Sequence, residues 1–559
     1  MARKLNLADI QGNVLRGYGL PKSRYIFLNI AAGHDGRVAG RKFVDTVREK
    51  VTSALPWKSS QSSLYPPSPT GEQLPPKPKV TLNLAFTFWG LAALGLPTLT
   101  LQSMPQEFIE GMKARAGLLG DDFASPQRPH DAQLRHWDEI WQNDGPDSDR
   151  QVHILVALNA QMNKDGTSVP ELQEMTDYIL GECGKSGGYV TVLSGHGPKQ
   201  TPYQDASALL DKELKPTPKE HFGFTDGFGD PVFEGQYPEG IEMKEAIGSG
   251  KILPNQTWAP LATGEFLLGY PDEAQEVPPA SMPLELTRNG TFMAYRKLHQ
   301  NVAQFRAYLQ AEAVNYAKVN GMSDLQEAEA TIAAKIVGRW SDGVPLMVAP
   351  TYADWKAFNA RKDALALAAV AAERSGNQVE IGRIKRELEA IEQAFYDFKY
   401  RSDPQGSKCP VTAHMRRANT RDGLDPTGES PDPAHWNGSV INNRRRILRR
   451  GMPYGKSDAT DGEQGVIFLA LCASLFRQFE FVQQQWMQYG LDFDAGNDTC
   501  PMIGNHGDKA KFVIPGGDKA KPYICGRLPQ FVEVRGGAYF FIPSMTALRM
   551  IGMGVIDPT

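Results

Sequence analysis

Three short stretches of this chain carry side chains whose types and spacing could do chemistry on a bound ligand. In His221-Phe222-Gly223-Phe224-Thr225-Asp226-Gly227-Phe228-Gly229-Asp230-Pro231 an aspartate stands between glycines. Glycine and proline are too frequent there for a helix or a central strand. Glycine also lets the backbone take left-handed angles and come close to a ligand. Asp226 at the tip of such a turn is a candidate acid/base group, although a plain tight turn explains the segment equally well. In Lys408-Cys409-Pro410-Val411-Thr412-Ala413-His414-Met415-Arg416-Arg417-Ala418-Asn419-Thr420-Arg421 a histidine is followed closely by three arginines. Neutral imidazole is the commonest transition-metal ligand, and arginines beside it suit an anionic group such as a propionate or a phosphate. No His-x-x-x-His spacing or second nearby cysteine supports a zinc site, whereas one axial histidine is enough for haem iron. A capping or core histidine on a basic surface is the competing explanation. The third stretch, Arg444-Arg445-Arg446-Ile447-Leu448-Arg449-Arg450, concentrates like charges that repel one another unless anions sit nearby. A solvated basic loop would also account for it.

These side chains need a large scaffold. At 559 residues the chain exceeds one small core, so two domains or one large composite unit are expected. The net charge of −4 argues against a nucleic-acid footprint and against a polybasic membrane patch. No apolar run approaches the roughly 18 residues of a transmembrane helix. Met1-Ala2-Arg3-Lys4-Leu5-Asn6-Leu7-Ala8-Asp9 lacks the apolar core of a secretory leader. Cys183, Cys409, Cys472, Cys500 and Cys525 are scattered, which fits neither a disulfide framework nor a zinc site. A reducing, cytoplasmic location is expected.

Periodicity predicts the elements. Tyr25 to Ile30, Thr81 to Trp89, Gln151 to Leu158 and Tyr189 to Leu193 read as strands. Residues 40–54 and a segment from Pro170 to about Leu180 read as helices. The order is that of a ferredoxin-like unit with a long helical excursion. The second half repeats the theme, with strands at Thr291–Leu298, Gly465–Ala470 and Ala538–Pro543, and helices at 300–317 and 473–489. The expected fold is therefore α+β, with two ferredoxin-like β-α-β domains, 1–255 and 256–559, built on antiparallel sheets. Within the second, Ile381, Ile384, Leu388, Ile391 and Phe395 follow helical spacing after an alanine-rich run. Residues 351–398 thus predict an inserted helical hairpin, packed on the body by one face or used as an oligomer contact. The Pro- and Ser-rich stretch 55–80 predicts a surface loop.

Taken together, the three stretches resemble the dye-decolourising peroxidase family. The family's glycine-x-x-aspartate-glycine pattern stands as Gly223-Phe224-Thr225-Asp226-Gly227. Its proximal segment resembles Cys409-Pro410 through His414, Arg416, Arg417, Asn419 and Arg421, and its arginine segment resembles Ile447-Leu448-Arg449-Arg450-Gly451-Met452-Pro453-Tyr454-Gly455. Further matches run in family order from Asp9-Ile10-Gln11-Gly12 through Val337-Gly338-Arg339-Trp340 to Gly537-Ala538-Tyr539-Phe540. Phe228 stands where an aliphatic residue is common and Thr420 where a proline is usual. The separation of His414 and Arg449 and the 351–398 hairpin resemble the long-chain branch.

The resemblance implies haem b, in the C-terminal half, on His414 as the iron ligand. Asp226 is then the acid/base group toward hydrogen peroxide and Arg449 the stabiliser of developing charge. Arg421 and Arg339 would face the propionates, and Gly227, Phe228 and Gly229 the haem edge. Dyes, phenols or other one-electron donors would be oxidised, with Tyr454 and Trp486 as candidate surface relays for donors too bulky to enter. A homodimer is the candidate assembly, and neither nucleic acid nor membrane is an expected partner. The alternative is a haem protein for storage, sensing or iron release, but such a site needs neither Asp226 nor Arg449. A hydrolase using Asp226 and His414 would want a Gly-x-Ser-x-Gly elbow, and none accompanies them.

Overall fold

The computed structural model describes residues 5–15, 17–58, 74–121, 134–142, 148–197, 199–238, 240–278, 280–428, 430–456, 462–517 and 520–556. Most of the expected surface loop, residues 59–73, lies outside them.

The first half runs β1 (Lys22–Ile30), α1 (His34–Val47), β2 (Val80–Phe86), β3 (Ile154–Ala160), α2 (Pro170–Lys185) and β4 (Val190–Val192). Its four strands pair antiparallel in the order β4-β1-β3-β2. The second half runs β5 (Thr291–Gln300), α3 (Val302–Asn320), α4 (Leu325–Val337), α5 (Tyr352–Ser375), α6 (Gln378–Ala394), α7 (His414–Ala418), β6 (Met452–Tyr454), β7 (Gly465–Cys472) and β8 (Val532–Ile542). Those strands pair antiparallel in the order β8-β5-β7-β6. In each half the first strand lies between the fourth and the third, with the second at the edge. That is the ferredoxin-like arrangement twice over.

The halves do not form separate sheets. The edge strands β8 and β2 pair at Phe541 and Phe86, which joins the two units, together with the short strands Gln204–Ser207 beside β1 and Leu448–Arg449 beside β7, into one ten-stranded sheet. Pairing one edge against the other removes two open edges, the groups most exposed to wrong association. Aromatic rings from both halves lock the junction: Phe27 lies 5.2 Å from Tyr295 and 6.3 Å from Phe540, and Phe108 lies 5.1 Å from Phe292. Replacing the fully buried Phe541 by Ala is expected to cost about 3–5 kcal/mol through lost packing and the cavity left behind. A chemical-unfolding midpoint unchanged from the parent protein would contradict that junction.

Two expectations need correction. The helix at 473–489 is instead a pair of π-helical segments, Leu475–Glu480 and Val482–Met487. The side-chain amide of Gln478, on the first of them, donates to the carbonyls of Glu265 and Arg446. Wider turns of this kind occur mostly where a helix serves a site, and here Val482 and Met487 reach the cavity described below. The hairpin α5–α6 forms as the 3-4 spacing predicts. A Thr351–Asp354 capping box starts it, and Gly376, in a left-handed conformation, turns it. Its two helices bury Leu365, Ala372, Ile384 and Ile391 against each other. It meets the rest of the protein through its base rather than along one face: Trp355 stacks on the buried Trp340 at 4.8 Å, and Phe395 stacks on Phe228 at 5.6 Å. Among the described residues, no helix is long and apolar enough to cross a membrane.

Candidate active site

The turn carrying Asp226 is held from several directions. Gly223, Gly227 and Gly229 all take positive φ, between 81° and 97°, so the chain can double back twice within seven residues. The Asp226 amide donates to the Pro218 carbonyl at 2.7 Å, and the Thr225 amide donates to Ser341 at 3.0 Å. Beneath the turn, Glu220 accepts from the Phe222 and Phe224 amides and from Gln300 Nε2. Burial outweighs these bonds and holds the Glu220 carboxyl above its ordinary range. Sequence reading did not single out Glu220. An acidic residue six positions before a glycine-flanked aspartate carries no signal of its own.

Asp226 Oδ1 accepts from Arg449 Nη1 at 2.7 Å and from the Gly227 amide at 2.7 Å. Arg449 Nη2 also donates to the Phe228 carbonyl at 2.9 Å. The side chain of Asp226 keeps 51% of its surface accessible although protein surrounds it, as befits a group facing an interior recess. Burial pushes its pKa up, but Arg449, the Gly227 amide and the charge of His414 together bring it below the ordinary 3.8. In return Asp226 raises the pKa of Arg449.

His414 opens the short helix α7 and lines a cavity of about 530 Å³ with Phe228, Gly229, Arg339, Arg421, Arg446 and Arg449. Asp226 and Gly227 adjoin that lining through the ion pair with Arg449 and through Phe228. The imidazole is fixed by one edge: Nδ1 lies 3.2 Å from the sulphur of the buried Cys500.

The other predicted arginines divide. Arg416 and Arg417 turn away from the cavity. Arg416 binds Asp403 and the Cys409 carbonyl, and Arg417 ties together the carbonyls of Thr412, Trp486, Tyr489 and Asp498. Arg421 does enter the cavity lining, and so does Arg339, which follows the left-handed Gly338 that ends α4. The arginine run is not a solvated loop, because its members take different partners. Arg444 pairs with Asp272, Arg445 stacks on Phe481, and Arg450 pairs with Asp230. Arg446, which sequence reading did not pick out, lines the cavity. The argument that the run needs anions could have found it.

Arg339, Arg421 and Arg446 are each buried, and each donates to backbone carbonyls rather than to a carboxylate. Arg339 binds Gly343 and Phe395, Arg421 binds Tyr396, Phe398 and Gly248, and Arg446 binds Gly229, Ser249 and Gly250. Burial lowers all three pKa values, to about 10 for Arg339 and about 9 for Arg446, and the Arg421 charge adds to the effect at both. Arg339 Nε has no partner among the described residues. Arg421 also sits at φ 50°, a conformation that costs about 1–3 kcal/mol. Three buried guanidiniums facing one slot with no carboxylate bonded to them are costly unless an anion joins them. The two propionates of a haem would meet that need, so the residues present fit the cofactor expected from sequence.

The expected relay residues Tyr454 and Trp486 are not surface groups. Tyr454 is 3% exposed and Trp486 fully buried, its indole donating to Asp492.

The chain is similar to known proteins over most of its length. Residues 321–519 match the family model described as Dyp-type peroxidase, C-terminal. The dye-decolorizing peroxidase AauDyP1 of Auricularia auricula-judae is 28% identical over 564 residues, covering 98% of this chain and 87% of its own. Peroxidase 2 of Mycetinis scorodonius is 25% identical, covering 98% and 87%. Among solved structures, a fungal DyP-type peroxidase from Auricularia auricula-judae superposes with a TM-score of 0.67 at 22% identity, over 99% of this chain and 100% of that one. A dye-decolorizing peroxidase in complex with 2,6-dimethoxyphenol superposes with a TM-score of 0.62 at 23% identity, over 98% and 100%.

Proposed function

Because this chain belongs to the dye-decolourising peroxidase family, whose members are haem enzymes, we propose that His414, Asp226 and Arg449 divide the work of peroxide reduction between them. The observation that carries this reading is the ion pair of Asp226 with Arg449 beside a cavity lined by His414. His414 would hold the iron through Nε2, and Arg339, Arg421 and Arg446 would neutralise the propionates. Phe228, stacked against Phe395 and beneath the Arg339 guanidinium, would pack on the macrocycle edge. When bound, the haem supplies the two electrons that cleave the O–O bond and recovers them one at a time from donors.

Asp226, ionised, accepts a proton from the inner oxygen of hydrogen peroxide and returns it to the outer oxygen, which departs as water. Arg449 lies against the same carboxylate and stabilises negative charge as it develops on the departing oxygen. The oxidised donors would be phenols, dyes or similar one-electron reductants, in keeping with the solved relative that binds 2,6-dimethoxyphenol. Five free, buried cysteines support a reducing, cytoplasmic setting.

The pH dependence follows from sign. A carboxylate base works above its pKa and fails as pH falls through it. With the Asp226 pKa below 3.8, the reaction with peroxide persists into acid, and its acid limb lies below that value. Arg449→Leu removes the largest influence opposing burial, so the Asp226 pKa rises and the limb moves to higher pH. The same change is expected to slow the peroxide step about 10²–10³-fold at its optimum, the usual cost of losing one charge stabiliser. Stopped-flow mixing of holoprotein and peroxide across the acid range tests both. A profile identical to that of the parent protein contradicts the role given to Arg449.

A further inference from the structure

A histidine bound to a metal through one ring nitrogen almost always donates its other N–H to a carboxylate, a carbonyl or a water. The carboxylate whose charge acts on His414, that of Asp226, is engaged by Arg449 and by the Gly227 amide. The group 3.2 Å from Nδ1 is the sulphur of Cys500. That sulphur is rigidly placed. The Cys500 amide donates to Met487 at 2.7 Å, its carbonyl accepts from the Gly504 amide at 2.9 Å, and His506 Nε2 lies 2.9 Å from the same carbonyl. His506 is itself held by the Pro529 carbonyl.

Resting on the reading of His414 as the iron ligand, we propose that Cys500 is its positioning residue. Sγ accepts the Nδ1–H of His414 and so fixes the ring plane and the tautomer that turns Nε2 toward the iron. Sulphur is a weak acceptor, so it draws less on the N–H than a carboxylate would. The imidazole is then a weaker electron donor to the iron, and the resting iron is easier to reduce than it would be with a carboxylate at the same place. Four buried cysteines elsewhere in the chain lack such a contact with a ring nitrogen among the described residues.

The test compares holoprotein carrying Cys500, Cys500→Ser, Cys500→Ala and Cys500→Asp. Resonance Raman of the ferrous form reads the iron–histidine stretch, and potentiometry reads the ferric/ferrous midpoint. Cys500→Asp is expected to raise the stretching frequency and lower the midpoint. Cys500→Ala is expected to broaden the band and weaken haem retention about 10- to 100-fold, the usual cost of losing such a partner. Cys500→Ser, which keeps an acceptor, restores most of both. Equal frequencies and midpoints in the Ser, Ala and Asp proteins overturn the proposal. If Cys500→Asp fails to fold, the contrast between Ala and Ser still decides it. An iron–histidine band in the parent protein that survives His414→Ala overturns the underlying reading instead, and the two failures are told apart by which substitution leaves the band unmoved.

Discussion

Asp226→Asn is expected to slow the reaction of the holoprotein with hydrogen peroxide by about 10²–10⁴-fold, the usual contribution of one positioned acid/base group. The substitution is close to isosteric. The amide oxygen of Asn can still accept from the Gly227 amide and from Arg449, the two donors to Asp226 Oδ1, so the turn should keep its shape. Only the ability to take and return a proton is lost. The visible spectrum and the haem content should therefore match those of the parent protein, while single-turnover peroxide consumption falls. This pattern separates a lost base from a disrupted pocket, which would lower haem content as well. An unchanged single-turnover rate would remove Asp226 from the mechanism. If Arg449→Leu also left the rate unchanged, the distal roles proposed here would both be wrong.

His414→Ala is expected to abolish the axial bond and with it the peroxidase reaction. The cavity would remain, because Arg339, Arg421 and Arg446 are held by backbone carbonyls that the substitution does not touch. Haem supplied to the variant should thus associate weakly, through its propionates, without the spectrum of a histidine-ligated iron. Added imidazole should restore part of that spectrum by occupying the space left by the side chain. The measurement is an absorption titration of the variant with hemin, with and without imidazole. A histidine-type spectrum in the variant without imidazole would assign the iron to another residue.

How much of this was legible beforehand depended on whether the determining contacts were local. The strand alternation at 25–30 and 151–158 gave β1 and β3 within a few residues, and the 3-4 spacing after Gly376 gave α6. The segment after Ala473 was misjudged as a regular helix. Its wider turns accompany the hydrogen bonds of Gln478 to Glu265 and Arg446, 213 and 32 residues away, and no window on the segment contains them. The hairpin was recognised as an insertion but its use was not. Stacking of Trp355 on Trp340 and of Phe395 on Phe228 depends on where the sheet delivers each ring, and burial of Tyr454 and Trp486 depends on the same placement.

What the sequence determined by itself were the reactive groups and their local geometry. Glycines around Asp226 permit a turn that few other residues could adopt, and the arginine run announces a need for negative charge. The pairing of those groups was decided only by the tertiary structure. Asp226 meets Arg449 across 223 residues and His414 meets Cys500 across 86. Arg446 rather than Arg416 or Arg417 was turned into the slot. The physical reason is that a side chain's type follows from its own residue, whereas its neighbour across such distances follows from the topology, here two four-stranded units fused through β2 and β8 into one sheet.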